Sequence, residues 1–156
     1  MKNLLILCSI LVLGLSACKS DNTEPFDAAK QAAADEASIQ AYIKANNINA
    51  TKDAAGVYYQ VITPGTGAYP TASSTVTVNY TGKLLNGTSF DTGTFTTGLA
   101  PTSNVIAGWK SGLTHINTGG RILLLIPSAL GYGNNATGPI PENSVLVFSI
   151  DLTGIK

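Results

Sequence analysis

The chain has 156 residues, its 9 Lys plus Arg cancel its 9 Asp plus Glu, and it holds a single His, so its formal net charge is zero. That balance leaves no electrostatic footprint for nucleic acid, and the length bounds the chain to one modest domain with an appendage. Gly, Thr and Ser are abundant and the apolar runs are short and β-branched, a composition that favours a β-rich domain with many turns.

Residues 1–17 read as a targeting segment. Lys2 gives a small positive start, and residues 4–15 form an apolar run too short to span a bilayer comfortably. The run ends Leu15-Ser16-Ala17-Cys18, which resembles the lipobox of bacterial lipoproteins. The resemblance implies cleavage before Cys18, acylation of its sulfur and amine, and a lipid anchor in the membranes of a bacterial cell envelope. Cys8 then leaves with the signal, and the mature domain holds no disulfide despite an oxidising compartment. An ordinary secretory signal and an uncleaved anchor are the alternatives. Residues 18–26 are polar, lack periodicity and read as a flexible tether.

From Asp27, a candidate N-cap, the composition turns Ala-rich, and helical spacing runs through Ala32, Ile39, Tyr42 and Ile43 towards an end at Asn46-Asn47 and Asn49. Its apolar face is thin, with the large residues confined to the second half. Residues 27–55 are therefore expected to form a helical spacer docked only loosely on the domain that follows.

After Gly56 the period switches to two. Residues 57–62 make the first strand candidate, closed by Pro64-Gly65-Thr66-Gly67. Val76, Val78 and Tyr80 share one face, and Thr75, Thr77, Asn79 and Thr81 the other. Asn86-Gly87 is a hairpin signal because both positions accept φ > 0. Ile122, Leu124 and Ile126 alternate before Pro127, and Leu146, Phe148, Ile150 and Leu152 point one way in the last strand, 145–152. Residues 108–116 are the one stretch between these strands suited to a short helix. An antiparallel sheet closing over one helix, an α+β domain over 56–156, follows. The lone Trp109 sits in the apolar run Val105-Ile106-Ala107-Gly108-Trp109 and either floors a hydrophobic pocket or fills the core; its indole N–H needs a partner.

The stretch Val76-Thr-Val-Asn-Tyr80-Thr-Gly82 through Gly87-Thr-Ser-Phe90-Asp91 closely resembles the FKBP-type peptidyl-prolyl isomerases. So do Val105-Ile106-Ala-Gly108-Trp109, Gly112-Leu113, Gly119-Gly120-Arg121, Ile126-Pro127, Leu130-Gly131-Tyr132-Gly133, Ile140-Pro141 and Asn143 to Phe148, in family order over about residues 56–154. The resemblance implies a curved antiparallel sheet wrapped around one short helix, and isomerase activity towards prolyl bonds of unfolded or flexible polypeptides, assisting their folding. It carries over Tyr80, Phe90, Phe148 and Trp109 as aromatic walls and floor. Val105 and Ile106 become the lip, where the Ile106 N–H receives a ligand carbonyl. Asp91 becomes the acidic rim residue, Tyr132 the hydroxyl that approaches the substrate, Ile140 an apolar flap residue and Phe95 a further wall. Tacrolimus or rapamycin would bind the same pocket. Two departures stand out: residues 92–104 are short and rich in Thr and Gly, and the flap 134–139 is shortened by about one position. Neither an Asp-rich metal loop nor the inserted flap domain of chaperone-like relatives is seen, so no metal or cofactor and no strong holdase activity is implied.

Such chemistry needs no reactive group. Prolyl rotation faces a barrier of about 20 kcal/mol because the planar amide is resonance-stabilised. Twisting removes the resonance and makes the carbonyl less polar, so an apolar pocket binds the twisted form better than water does. Each assignment has a plainer rival: Asp91 before Thr-Gly as a turn residue, Tyr132 in Gly-Tyr-Gly as a surface residue, and Tyr80 and Phe148 as core. The lone His115 has no second His for a metal site and no nucleophile motif beside it, so an exposed position on the short helix is expected, and Arg121 reads as a surface charge. A non-catalytic binding module or a structural lipoprotein are the rival functions; nothing in the sequence asks for more than a monomer.

Overall fold

The structure, a computed structural model, describes residues 25–156. The targeting segment, Cys18 and all but the end of the tether lie outside the described residues. Helix α1 spans Ala28–Ala45, with Asp27 as N-cap accepting the Ala29 and Lys30 N–H groups at 2.9 and 3.1 Å. It ends at Asn46, followed by Asn47 at φ 52°, a conformation Asn tolerates well. Strands β1 (Thr51–Lys52), β2 (Tyr58–Thr63), β3 (Thr75–Leu84) and β4 (Ser89–Gly98) follow. Helix α2 (Ala107–Gly112) continues into a 3-10 turn, Leu113–His115, and β5 (Arg121–Ile126) and β6 (Leu146–Ile155) complete the chain. The six strands form one antiparallel sheet in the order β1-β2-β5-β6-β3-β4.

The two-residue period sorts the sheet into two faces. Val76, Val78, Ile122, Leu124, Ile126, Leu146, Phe148, Ile150 and Leu152 point to one face, where Trp109, Leu113 and Ile116 from the α2 segment complete the main core. Each such side chain contributes about 1.5–3 kcal/mol on burial. Gly108 and Gly112, four residues apart on one side of α2, let the helix down onto β5. A Cβ on Gly108 would stand 2.4 Å from Ile126 Cγ2, and one on Gly112 2.6 Å from Leu124 Cδ1.

The opposite face carries a second, smaller core of Tyr58, Leu125, Val145 and Val147, closed by Ile39 of α1. This corrects the expectation of a loosely docked spacer. Ile39 is fully buried, Tyr42 and Ile43 pack beside it, and the rest of the attachment is polar. Tyr58 donates its hydroxyl proton to Glu36, and Lys52 reaches the same carboxylate at 2.8 Å. Three hydrogen bonds hold the Glu36 carboxyl down to about 2, first Lys52, then Tyr58 and Gln40. The sheet also begins earlier than expected, since β1 lies within 27–55 and pairs with β2.

Asn86-Gly87 does form the β3–β4 turn, but the two positions do not both use the positive φ that the pair accepts. Only Gly87 takes a positive φ, 87°, and the turn is closed by its N–H on the Leu84 carbonyl at 2.9 Å. Asn86 instead uses its side chain, accepting the Thr88 N–H at 2.9 Å.

Candidate active site

Adjacent strand residues normally face opposite ways, yet Phe90 and Asp91 face the same cleft. The β3–β4 register explains it: Gly82 pairs with Asp91 and Lys83 with Ser89, so Phe90 is the extra residue of a β-bulge. Gly82 completes the arrangement, because a Cβ there would stand 2.6 Å from the Phe90 ring and 2.8 Å from that of Phe148. The two rings thus meet edge to face over a bare backbone, with centroids 5.5 Å apart and planes at 85°.

Trp109, carried by the first turn of α2 and only 3% exposed, closes the bottom. Its ring lies 5.1 Å from Tyr80 and 5.3 Å from Phe148, and 6.3 Å from Phe95, in each case steeply inclined. These edge-to-face contacts suit the aromatic quadrupoles. The indole N–H, expected to find a partner, is buried without one among the described residues.

The result is a cleft of about 490 Å³ lined by Tyr80, Phe90, Asp91, Phe95, Asn104, Val105, Ile106, Trp109, Tyr132 and Phe148. Tyr80 and Asp91 are diagonal neighbours across β3 and β4, because Tyr80 pairs directly with Gly93. The Tyr80 hydroxyl donates to Asp91 Oδ2 at 2.7 Å, while Asp91 Oδ1 accepts the Thr92 N–H at 2.9 Å. That bond to the carboxylate, reinforced by burial and by the Asp91 charge, pushes the Tyr80 phenol up to about 12. Tyr80 therefore remains a donor, and the pair sets one fixed negative edge on an otherwise apolar hollow. Asp91 lies inside β4 and not in a turn.

Val105 and Ile106 form the lip. Ile106 is the N-cap of α2, in extended backbone at φ −58°, ψ 145°, where an N–H lies outside the helix hydrogen-bond ladder. Tyr132 stands at the mouth, 37% exposed, on the Gly-Tyr-Gly loop after the 3-10 turn Ser128–Leu130, and Phe95 is 41% exposed on the facing wall. Of the residues singled out in the sequence, nine meet in this cleft. Ile140 does not: it is buried in the main core. Asn104 lines the cleft and was not foreseen; its place next to Val105-Ile106 was the available signal.

The other polar residues sit elsewhere. His115 is half-buried, contrary to the expected exposure. Its ring stacks on Tyr59 at 4.0 Å, and Nε2 lies 3.3 Å from Asp53, which also accepts the Ser111 hydroxyl at 2.6 Å. Arg121 is exposed and forks onto Asp151 across β5 and β6. Among the described residues no group of three or more His, Cys, Asp or Glu is placed to hold a metal ion.

Comparison with known proteins converges on the same architecture. The sequence profile of the FKBP-type peptidyl-prolyl cis-trans isomerases matches residues 67–153. FkpA of Escherichia coli K12, an FKBP-type peptidyl-prolyl cis-trans isomerase, is 45% identical over 105 residues, covering 65% of this chain and 38% of the relative. The outer membrane protein MIP of Legionella longbeachae is 42% identical over 105 residues, covering 65% of this chain and 45% of that protein. The chain thus spans about half or less of the length of the curated relatives it matches. A crystal structure of a peptidyl-prolyl cis-trans isomerase from Pseudomonas syringae superposes with a TM-score of 0.71 at 30% identity, covering 84% of this chain and 97% of the other. With the family profile matching residues 67–153 and the fold superposing on that structure, the chain belongs to the FKBP-type peptidyl-prolyl cis-trans isomerase family.

Proposed function

We propose that this chain catalyses cis–trans isomerisation of X–Pro bonds in unfolded or flexible polypeptides of the bacterial cell envelope, and so assists their folding. The observation that carries the reading is the cleft itself: aromatic rings and two aliphatic side chains around one Tyr–Asp pair. In this reading the proline ring sits on Trp109 between Tyr80, Phe90, Phe95 and Phe148, out of water. The Ile106 N–H holds the carbonyl that follows the proline, which fixes the chain on that side. The prolyl amide then twists against the apolar wall, with its less polar carbonyl near the Tyr132 hydroxyl and the Asp91 edge. Water stabilises the planar, more polar amide; its exclusion removes that preference and lowers the barrier.

Family membership, the fold match and the names of the relatives support this reading. The Leu15-Ser16-Ala17-Cys18 sequence supports attachment through lipid on Cys18, and the name outer membrane protein MIP for one relative supports an envelope location. Among the described residues no helix is long and apolar enough to cross a membrane. The chain is read as a monomer, and tacrolimus or rapamycin as competitors for the cleft.

A protease-coupled assay on X–Pro peptides tests the proposal with the chain from Cys18 onward. Acceleration over buffer is expected, with Asp91→Val and Tyr132→Phe slowing turnover while peptide affinity changes little. A wild-type rate equal to buffer removes the enzyme reading.

A further inference from the structure

Helix α1 lies outside the residues matched to the family, and it docks on the sheet through Ile39 and through the bonds of Glu36 and Gln40 to Tyr58. It also carries a buried carboxylate that reaches past the sheet to the turn before Tyr132. Asp35 is 3% exposed, and a charge in such a place is costly unless it is fully hydrogen-bonded. Its Oδ1 accepts from Gln31 on its own helix at 2.7 Å. Its Oδ2 accepts both the backbone N–H and the hydroxyl of Ser128, at 2.8 and 2.7 Å, across 93 positions of sequence.

Those two bonds fix the peptide and the rotamer of Ser128 together, and Ser128 is itself buried. The Ser128 carbonyl in turn accepts the N–H groups of Gly131 and Gly133 at 2.9 and 2.8 Å. These are the two residues that flank Tyr132. An unbroken series of hydrogen bonds therefore runs from α1 to the backbone on either side of the residue at the mouth of the cleft. Charge-assisted bonds of this kind are stronger than neutral ones and hold geometry well.

We propose that Asp35 is a positioning residue for Tyr132: the helix that precedes the family domain sets the placement of the Tyr132 loop through Ser128. The proposal rests on the reading of Tyr132 as a substrate-facing group. Replacing the carboxylate by an amide exchanges charge-assisted bonds to Ser128 for weaker neutral ones, and the loop between Gly131 and Gly133 is held less firmly at that end.

The test is a double-mutant cycle on the full chain, combining Asp35→Asn with Tyr132→Phe, read as kcat/KM in the isomerase assay. Asp35→Asn is expected to lower kcat/KM by about five- to tenfold when Tyr132 is intact, and by less than about twofold in the Tyr132→Phe background. Hydrogen exchange at the Gly131 and Gly133 amides should quicken about tenfold or more, while the Trp109 and Lys110 amides stay as they were. Equal losses in both backgrounds, or unchanged exchange at Gly131 and Gly133, overturn the proposal. If Asp35→Asn does not fold, Ser128→Ala, which removes only the hydroxyl bond, enters the same cycle with the same criteria. Should Tyr132→Phe alone leave turnover intact, the role of Tyr132 fails, and the exchange rates still decide whether Asp35 holds the loop.

Discussion

Gly108→Ala probes the link between packing and site most directly. The new Cβ would stand 2.4, 2.7 and 2.9 Å from Cγ2, Cδ1 and Cγ1 of Ile126. Ile126 is fully buried and β-branched, so it has no free rotamer into which to withdraw. Ordinary contact begins near 3.4 Å, so α2 and β5 must part by about 1 Å in a core packed to crystal-like density. Overpacking of this kind costs about 1–3 kcal/mol. The better helix propensity of Ala returns at most about 1 kcal/mol, and less in the first turn of a helix this short. A net loss of about 1–2 kcal/mol is expected, or a Tm lower by ~3–8 °C, measured by urea and thermal unfolding with an unchanged m-value. The same shift moves Trp109, the next residue, away from Tyr80 and Phe148. Turnover should therefore fall about tenfold or more, since a displacement of about 1 Å in a positioned site is that costly. The partner variant Ile126→Ala opens the space, and in the double variant the two costs should overlap by about 1 kcal/mol or more. Strict additivity, or a Gly108→Ala protein as stable and as active as the parent, refutes the argument.

Two further outcomes follow from ionisation. Glu36 is held down to about 2 from its ordinary 4.5, first by Lys52 and then by Tyr58 and Gln40, so the unfolded chain binds its proton more readily than the folded one. That stability is fully present above pH 4.5 and is lost as the pH falls towards 2; Glu36→Gln should flatten the acid limb of a pH–stability curve, and an unaltered limb counts against the cause given. Tyr80 is the opposite case: its phenol is raised to about 12, so the unfolded chain releases the proton first and the contribution is lost as pH rises above 10. The Tyr58 phenol is raised as well, by burial and by its bond to Glu36, so an ultraviolet titration should show Tyr58 and Tyr80 both ionising late. Asp91→Asn should return one of them towards the ordinary range, and an unchanged number of late tyrosines in that variant assigns the Tyr80 shift elsewhere.

What the sequence made legible, and what it hid, divides along one physical line. Alternation at 76–80, 122–126 and 146–152 reported which side chains meet the core, because a two-residue period has only two faces to choose between. The cleft residues Tyr80, Phe90, Asp91, Trp109 and Tyr132 stood in recognisable blocks, and the structure draws them to one hollow. The bulge at Phe90 was not legible: a single extra residue changes the pairing register without changing the hydrophobic pattern. The docking of α1 is hidden for a related reason. Counting large apolar residues found only Ile39, Tyr42 and Ile43, whereas much of the attachment runs through Asp35, Glu36 and Gln40, whose polar side chains look like a solvated face until Ser128 and Tyr58 are folded against them. His115 escaped in the same way, since Asp53 lies 62 positions earlier and only the β1–β2 connection brings it near. Hydrophobic patterning is a property of one segment, but a buried hydrogen bond belongs to two. The features least visible in the chain are thus the ones through which its N-terminal helix reaches the site.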